Sequence, residues 1–178
     1  MKYWYGDLIE EKLGDDCVIC ITTNGFVKKT GQAVMGKGIA KQIKDKISKI
    51  DIQLGNIIRI AGNEVNVIRD YDKTKIVAFP VKPDKIYVDN PDKVNFAVNH
   101  MRHKFKMYDT IPGWACVADI EIIYESTKRL VQLADKNKWN EIYLPKPGCG
   151  AGELEWEDVS PIMEELLDDR FYICDFKR

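Results

Sequence analysis

The sequence predicts an α/β fold: a mixed, mostly parallel sheet with helices on both faces. Three observations carry this. Short apolar runs of strand type alternate with amphipathic helical patterns. Two of those runs lead into glycine-bearing loops, residues 23–38 and 146–152, and each loop is followed by a helix. A chain of 178 residues, 45% hydrophobic and 31% charged, describes one ordinary domain, 1–178, able to bury a core without staples.

Residues 2–6 (KYWYG) read as a short strand and 17–23 (CVICITT) as a central one, apolar throughout. After the first glycine loop a helix is predicted over 38–49, with Ile39, Ile43, Ile47 and Ile50 on one face. Residues 56–60 and 64–68, separated by Ala61-Gly62-Asn63, predict a hairpin. Residues 75–80 form a buried strand stopped by Pro80 and Pro83. Between 84 and 118 the pattern weakens, to a helix begun near Pro91 and a turn at Ile111-Pro112-Gly113. A helix over 119–136 carries Ile123, Thr127, Leu130 and Ala134 on one face. Residues 141–145 form a strand and 171–176 another. Between them lies a helix with Val159, Ile162, Met163, Leu166 and Leu167 as its stripe and Pro161 in its first turn.

The near-balance of 27 Lys+Arg against 28 Asp+Glu excludes nucleic-acid binding by bulk charge alone. Charge is uneven locally, with seven lysines against one aspartate over 28–49. No apolar run approaches a bilayer span and MKYWYGDLIEE lacks the apolar block of a signal peptide, so a cytoplasmic protein without membrane contact is expected. Cys17 and Cys20 have CxxC spacing, but residues three apart on a strand face opposite ways, which makes them buried thiols rather than metal ligands. His100 and His103, spaced i, i+3 with no third ligand evident, fit a basic face, 100–106, that could meet a polyanion. No metal or cofactor is expected.

The two glycine loops share one grammar of strand, glycine turn and helix. Converging backbone N–H groups near a helix N-terminus suit phosphate, and two such loops suit a diphosphate. Gly31-Gln-Ala-Val-Met-Gly36-Lys37 nearly meets the Walker pattern, but Gly38 replaces the magnesium-binding hydroxyl, and GxGxxG is absent. A standard NTPase or dinucleotide dehydrogenase is thereby disfavoured.

In this order, GDL (6–8), TNG (23–25), AVMGKGIAKQ (33–42), FPVK (79–82) and LPKPGCGAGELEWEDV (144–159) resemble the macro domain family, in its phage and bacterial branch. The resemblance spans nearly the whole chain, with 84–118 least matched. It implies a three-layer α/β/α fold and a cleft for ADP-ribose. It assigns Asp7 to the adenine amino group, with Leu8 beside the base, and Asn24 to the distal ribose. Gly36, Lys37, Gly38 and Ile39 become one diphosphate loop and Gly148, Cys149, Gly150, Ala151 and Gly152 the other, while Phe176 falls where the family often stacks an aromatic on adenine. Without the resemblance, Asp7 reads as a cap or turn aspartate and Asn24 as an Asx-turn.

Lys82 matches the lysine that, in the branch removing ADP-ribose from protein carboxylates or DNA bases, acts on C1″ of the distal ribose. A desolvated amine suits that work. Asn24 is its candidate partner. The glycohydrolases for protein-linked ADP-ribose carry an aspartate where this chain has Gly152, and Glu153 is one position off. The implied function is a hydrolase at C1″, on ADP-ribose 1″-phosphate or on an ADP-ribosylated protein or nucleic acid. The alternatives are a non-catalytic ADP-ribose-binding module and a nucleic-acid-binding protein using the basic face.

Overall fold

A computed structural model describes residues 1–175. In chain order the elements are β1 (Lys2–Tyr5), α1 (Leu8–Lys12), β2 (Val18–Asn24), α2 (Gly38–Lys46), α3 (Ile50–Ala61), β3 (Asn66–Tyr71), β4 (Thr74–Lys82), β5 (Lys85–Tyr87), β6 (Thr110–Pro112), α4 (Ile120–Asn137), β7 (Ile142–Pro145), α5 (Trp156–Leu166) and β8 (Phe171–Asp175). The main sheet has the order β1-β8-β7-β2-β4-β3. Its strands are parallel except β3, which runs antiparallel to β4.

Alternation along the strands builds two cores, one on each face of the sheet. Cys17, Ile19 and Ile21 pack with Ile76 and Ala78 under α1, α2 and α3. Val18 and Cys20 pack with Val77, Phe79 and Val81 under α4 and α5. This is a three-layer α/β/α sandwich on a mixed, mostly parallel sheet. Cys17 and Cys20 lie in opposite cores, and burial raises both thiols, Cys17 to about 11. A smaller cluster of Val88, Ala97, Ile111, Ala115 and Cys116 holds segment 84–118 together.

Several expectations need correction. The hairpin predicted from 56–60 and 64–68 is absent: 50–61 is helix α3, and the hairpin joins β3 to β4 around Asp72-Lys73. Ile50 and Leu54 are both buried, and Ile57 and Ile58 complete a helical stripe. The β-branched run NIIRI obeys that tertiary demand rather than its strand propensity. The helix predicted over 38–49 ends at Lys46, and Lys49 takes a left-handed φ of 63° to start α3. Strand β4 runs through Pro80 to Lys82. The last β3 partner is Ala78, so the missing N–H of Pro80 lies beyond β3, and a register shift opposite Thr23 and Asn24 absorbs the irregularity.

The helix expected near Pro91 is a pair of 3-10 turns, Pro91–Phe96 and Asn99–Lys104. The turn expected at 111–113 is strand β6 followed by a 3-10 turn. Pro161 lies inside α5, not in its first turn. No helix among the described residues is long and apolar enough to cross a membrane.

Candidate functional site

Five parallel strands bring their carboxyl ends to one edge, and in such sheets ligands bind at that edge. Reading across it, β1 delivers Asp7, β7 the second glycine loop, β2 Asn24 and the first glycine loop, and β4 Lys82. With strands about 4.8 Å apart, Asp7 and Asn24 are separated by roughly 14 Å along the edge and Asp7 and Lys82 by roughly 19 Å. Phe176 lies outside the described residues.

The first loop is fixed from several sides. Val27 bridges to Ala33, the Ala33 N–H donates to the Asp51 carbonyl at 2.9 Å, and Asn24 Nδ2 donates to the Val34 carbonyl at 3.2 Å. Helix α3 supports it from below: a Cβ built on Gly55 would lie 1.9 Å from the Gly31 oxygen, so only glycine lets helix and loop approach this closely. The loop ends at α2, whose N-cap, Lys37, makes no side-chain cap bond. Among the described residues the N–H groups of Gly38, Ile39 and Ala40 find no protein acceptor. Gly36 and Gly38 face open space.

The second loop folds tightly on itself. Leu154 N–H donates to Gly148 O at 3.2 Å and Glu153 N–H to Gly150 O at 3.0 Å, while Ala118 N–H donates to Gly152 O at 2.8 Å. Among the described residues the N–H groups of Gly150, Ala151 and Gly152 have no protein acceptor. Gly150, with φ of 86°, also faces open space. Cys149 Sγ donates to Pro147 O at 3.6 Å, and burial raises its thiol, so it is no ready nucleophile.

Asn24 and Lys82 join the two loops. They are register partners at the ends of β2 and β4. Asn24 holds Val34 of the first loop, and Lys82 Nζ donates to Ala151 O of the second at 2.8 Å. Lys82 is only 8% exposed. Burial pulls its ammonium down to about 8, with the charge of Lys37 acting the same way against Cys116 and Glu153. A lysine at that value keeps a useful neutral fraction near neutral pH.

Asp7 Oδ1 caps α1, accepting N–H bonds from Ile9 and Glu10 at 3.1 Å, and Oδ2 has no hydrogen-bond donor among the described residues. Cap and ligand roles are thus compatible in one carboxylate. Asn24 is engaged on both sides of its amide, since Oδ1 accepts from Phe26 N–H at 3.1 Å in an Asx-turn. Leu8, expected beside the base, is fully buried in the core beneath α1. Ile39 is 4% exposed, so only its backbone can meet a ligand. Glu153, at a left-handed φ of 61°, turns its carboxylate onto the Asn99 N–H, with both oxygens at 3.0 Å.

One residue the sequence reading missed is Asn63. It donates to the Lys82 carbonyl at 2.9 Å and lines a hollow of about 320 Å³ with Gly25, Ile58, Pro83 and Asp84. Its position after α3 is visible only once 50–61 is known to be helical. A hollow of about 340 Å³ at the opposite end of the strands, between Cys17 and Trp139, has no glycine loop and none of the candidate residues.

No protein-family model matches the sequence. A curated relative, the DNA ADP-ribosyl transferase-DNA ADP-ribosyl glycohydrolase fusion protein of Thermosipho africanus, is 24% identical over 134 residues, 75% of this chain. This chain spans about a third of that protein's length (32%). Among solved structures, the macrodomain of Mycobacterium tuberculosis DarG superposes with a TM-score of 0.65 at 19% identity, covering 99% of this chain and 97% of that one. The Thermus aquaticus DarG macrodomain gives 0.64 at 20% identity with the same coverage. Thermosipho africanus DarTG in complex with ADP-ribose gives 0.63 at 18%, covering 97% of this chain and 40% of that chain. The chain has the macrodomain fold.

Proposed function

We propose that the chain binds ADP-ribose along the carboxyl edge of its sheet and hydrolyses the bond at C1″ of the distal ribose, releasing a nucleic-acid target. The observation that carries this reading is the pair of N–H sets, 38–40 and 150–152, that lack a protein acceptor among the described residues, with the desolvated Lys82 bonded to the second loop at Ala151. The strand order suits the ligand: Asp7 at the adenine end, the two loops about the diphosphate, Asn24 and Lys82 at the distal ribose. The fused glycohydrolase is named for DNA, and this supports nucleic acid as the target.

The reaction then runs in two halves. The neutral Lys82 amine bonds to C1″ as the bond from C1″ to the target breaks, and the target leaves with a proton. The ribose ring opens and C1″ is held to Nζ by a C=N bond. Water adds to that bond, Nζ departs, and ADP-ribose and the free amine are restored, one water having been consumed. The N–H groups of both loops hold the diphosphate while this happens. Asp7 Oδ2 would accept the adenine amino group.

The test is a substrate panel of an ADP-ribosylated single-stranded oligonucleotide, an ADP-ribosylated protein and ADP-ribose 1″-phosphate, with borohydride added to trap the C=N adduct. Release from the oligonucleotide and a trapped adduct on Lys82 are expected. Tight binding of ADP-ribose with no release from any of the three supports the binding-module reading. That reading draws on the Ala151 carbonyl that occupies Lys82 Nζ and on the lack of a carboxylate at Gly152.

Asp7→Ala should cost about 1 kcal/mol of stability through the lost cap. In calorimetry it should weaken ADP-ribose and AMP while leaving ribose 5-phosphate unchanged. Equal loss across the three contradicts the adenine role.

A further inference from the structure

Segment 99–108 contains Arg102, Lys104 and Lys106 and no acidic residue, and the chemistry above leaves it unused. The structure docks it against the second glycine loop. Both Glu153 carboxylate oxygens accept the Asn99 N–H at 3.0 Å, from a left-handed backbone that residues other than glycine rarely adopt. Two further backbone bonds close the joint: Val117 N–H to Phe96 O at 2.8 Å, and Ala118 N–H to Gly152 O at 2.8 Å. The neighbouring residue, Ala151, holds Lys82.

The side chains of this segment divide the work. Arg102 is spent internally, donating to the carbonyls of Ala97 and Asn95 and so folding one 3-10 turn onto the other. Lys104 and Lys106 are exposed, and neither ammonium forms an ion pair among the described residues, while the Lys106 backbone N–H donates to Asp109 Oδ2 at 2.9 Å. Phe96, on the adjoining turn, is 46% exposed. Two exposed cations and an exposed apolar ring, carried on successive 3-10 turns and the residues just after them, suit a chain of phosphates and bases. Bases stack on an aromatic ring only when unpaired, and a nucleotide must leave a duplex to bring its sugar linkage to a lysine as enclosed as Lys82.

We propose that Phe96, Lys104 and Lys106 form the seat of a single-stranded nucleic acid that enters the cleft over the second glycine loop. That the strand carries ADP-ribose rests on the function proposed above; that the strand binds here does not.

The experiment measures fluorescence anisotropy of a labelled single strand of about 12 nucleotides, its duplex, and polyglutamate, with the full chain between about 50 and 200 mM salt. The single strand should bind best, and more weakly as salt rises. Lys104→Gln with Lys106→Gln should weaken it roughly tenfold at low salt and flatten the log–log salt slope by about 1.4. Phe96→Ala should weaken it about tenfold with the slope unchanged. Neither variant should alter the thermal midpoint or calorimetric binding of ADP-ribose.

Wild-type affinity in the variants, preference for the duplex or polyglutamate, or no strand binding at low salt overturns the assignment. Strand binding that responds as stated in a chain that ignores ADP-ribose supports this seat and removes the ADP-ribose reading.

Discussion

Lys82→Ala should lower kcat on an ADP-ribosylated oligonucleotide by at least about 10³-fold and abolish the borohydride-trapped adduct, while ADP-ribose still binds. The amine acts only when neutral, so kcat/KM of the wild type should rise with pH and level off above about 8, where burial has placed this lysine, instead of near 10.5. Lys82→Arg keeps a cation that cannot deprotonate, and it should be as inactive as the alanine variant. A variant retaining more than a tenth of wild-type kcat would remove Lys82 from the chemistry.

The same lysine has a stability signature. Below pH 8 both folded and unfolded chains carry the proton, and the folded chain bears the full cost of the buried charge. Between about 8 and 10.5 the unfolded chain still holds a proton that the folded chain has released, so stability rises with pH across that window. Lys82→Met removes the charge at similar length. It should stabilise the fold at pH 7 by about 1–3 kcal/mol after the lost bond to Ala151 is deducted, with the gain shrinking toward pH 10 in urea unfolding. A variant that is destabilised equally at all pH values contradicts the desolvation argument.

Gly152→Asp should be the most damaging change in the second loop, although it introduces a carboxylate where the family resemblance places one in glycohydrolases for protein-linked ADP-ribose. A Cβ at 152 would meet the Gly148 oxygen at 2.2 Å and the Ala118 Cβ at 2.7 Å. Both neighbours are fixed, the first by Leu154 N–H and the second by its own bond to Gly152 O. The loop must open to admit the side chain, which separates the N–H groups of 150–152. A loss of about 3 kcal/mol, or a fall in Tm on the order of 10 °C, is expected, together with loss of ADP-ribose binding. Gly150→Ala meets open space but needs φ of 86°, so its loss should be smaller. Unchanged Tm and binding in Gly152→Asp would show that the loop does not have this shape in solution.

The layers and the placement of the loops were legible in the sequence because strands buried on both faces, such as 18–24 and 74–82, leave long apolar runs. Helix α3 was not legible. Its β-branched run imitates a strand, and its helical period is decided by packing against the first loop through Gly55. Segment 84–118 hid for another reason: it is built of 3-10 turns and two three-residue strands, too short for any period to register. At the candidate site, the glycine loops could be read from the residues, and the family resemblance singled out Asn24 and Lys82. Asn63 carried no motif, and the engagement of Asn24 by Val34 and Phe26 is a matter of tertiary contact that spacing does not encode.

A crystal structure of the chain with ADP-ribose is the most direct test of the cleft. It should place the diphosphate within hydrogen-bond distance of N–H groups from both 38–40 and 150–152, the adenine toward Asp7, and C1″ within about 3.5 Å of Lys82 Nζ. A diphosphate touching only one loop, or a ligand seated elsewhere on the molecule, would contradict the account.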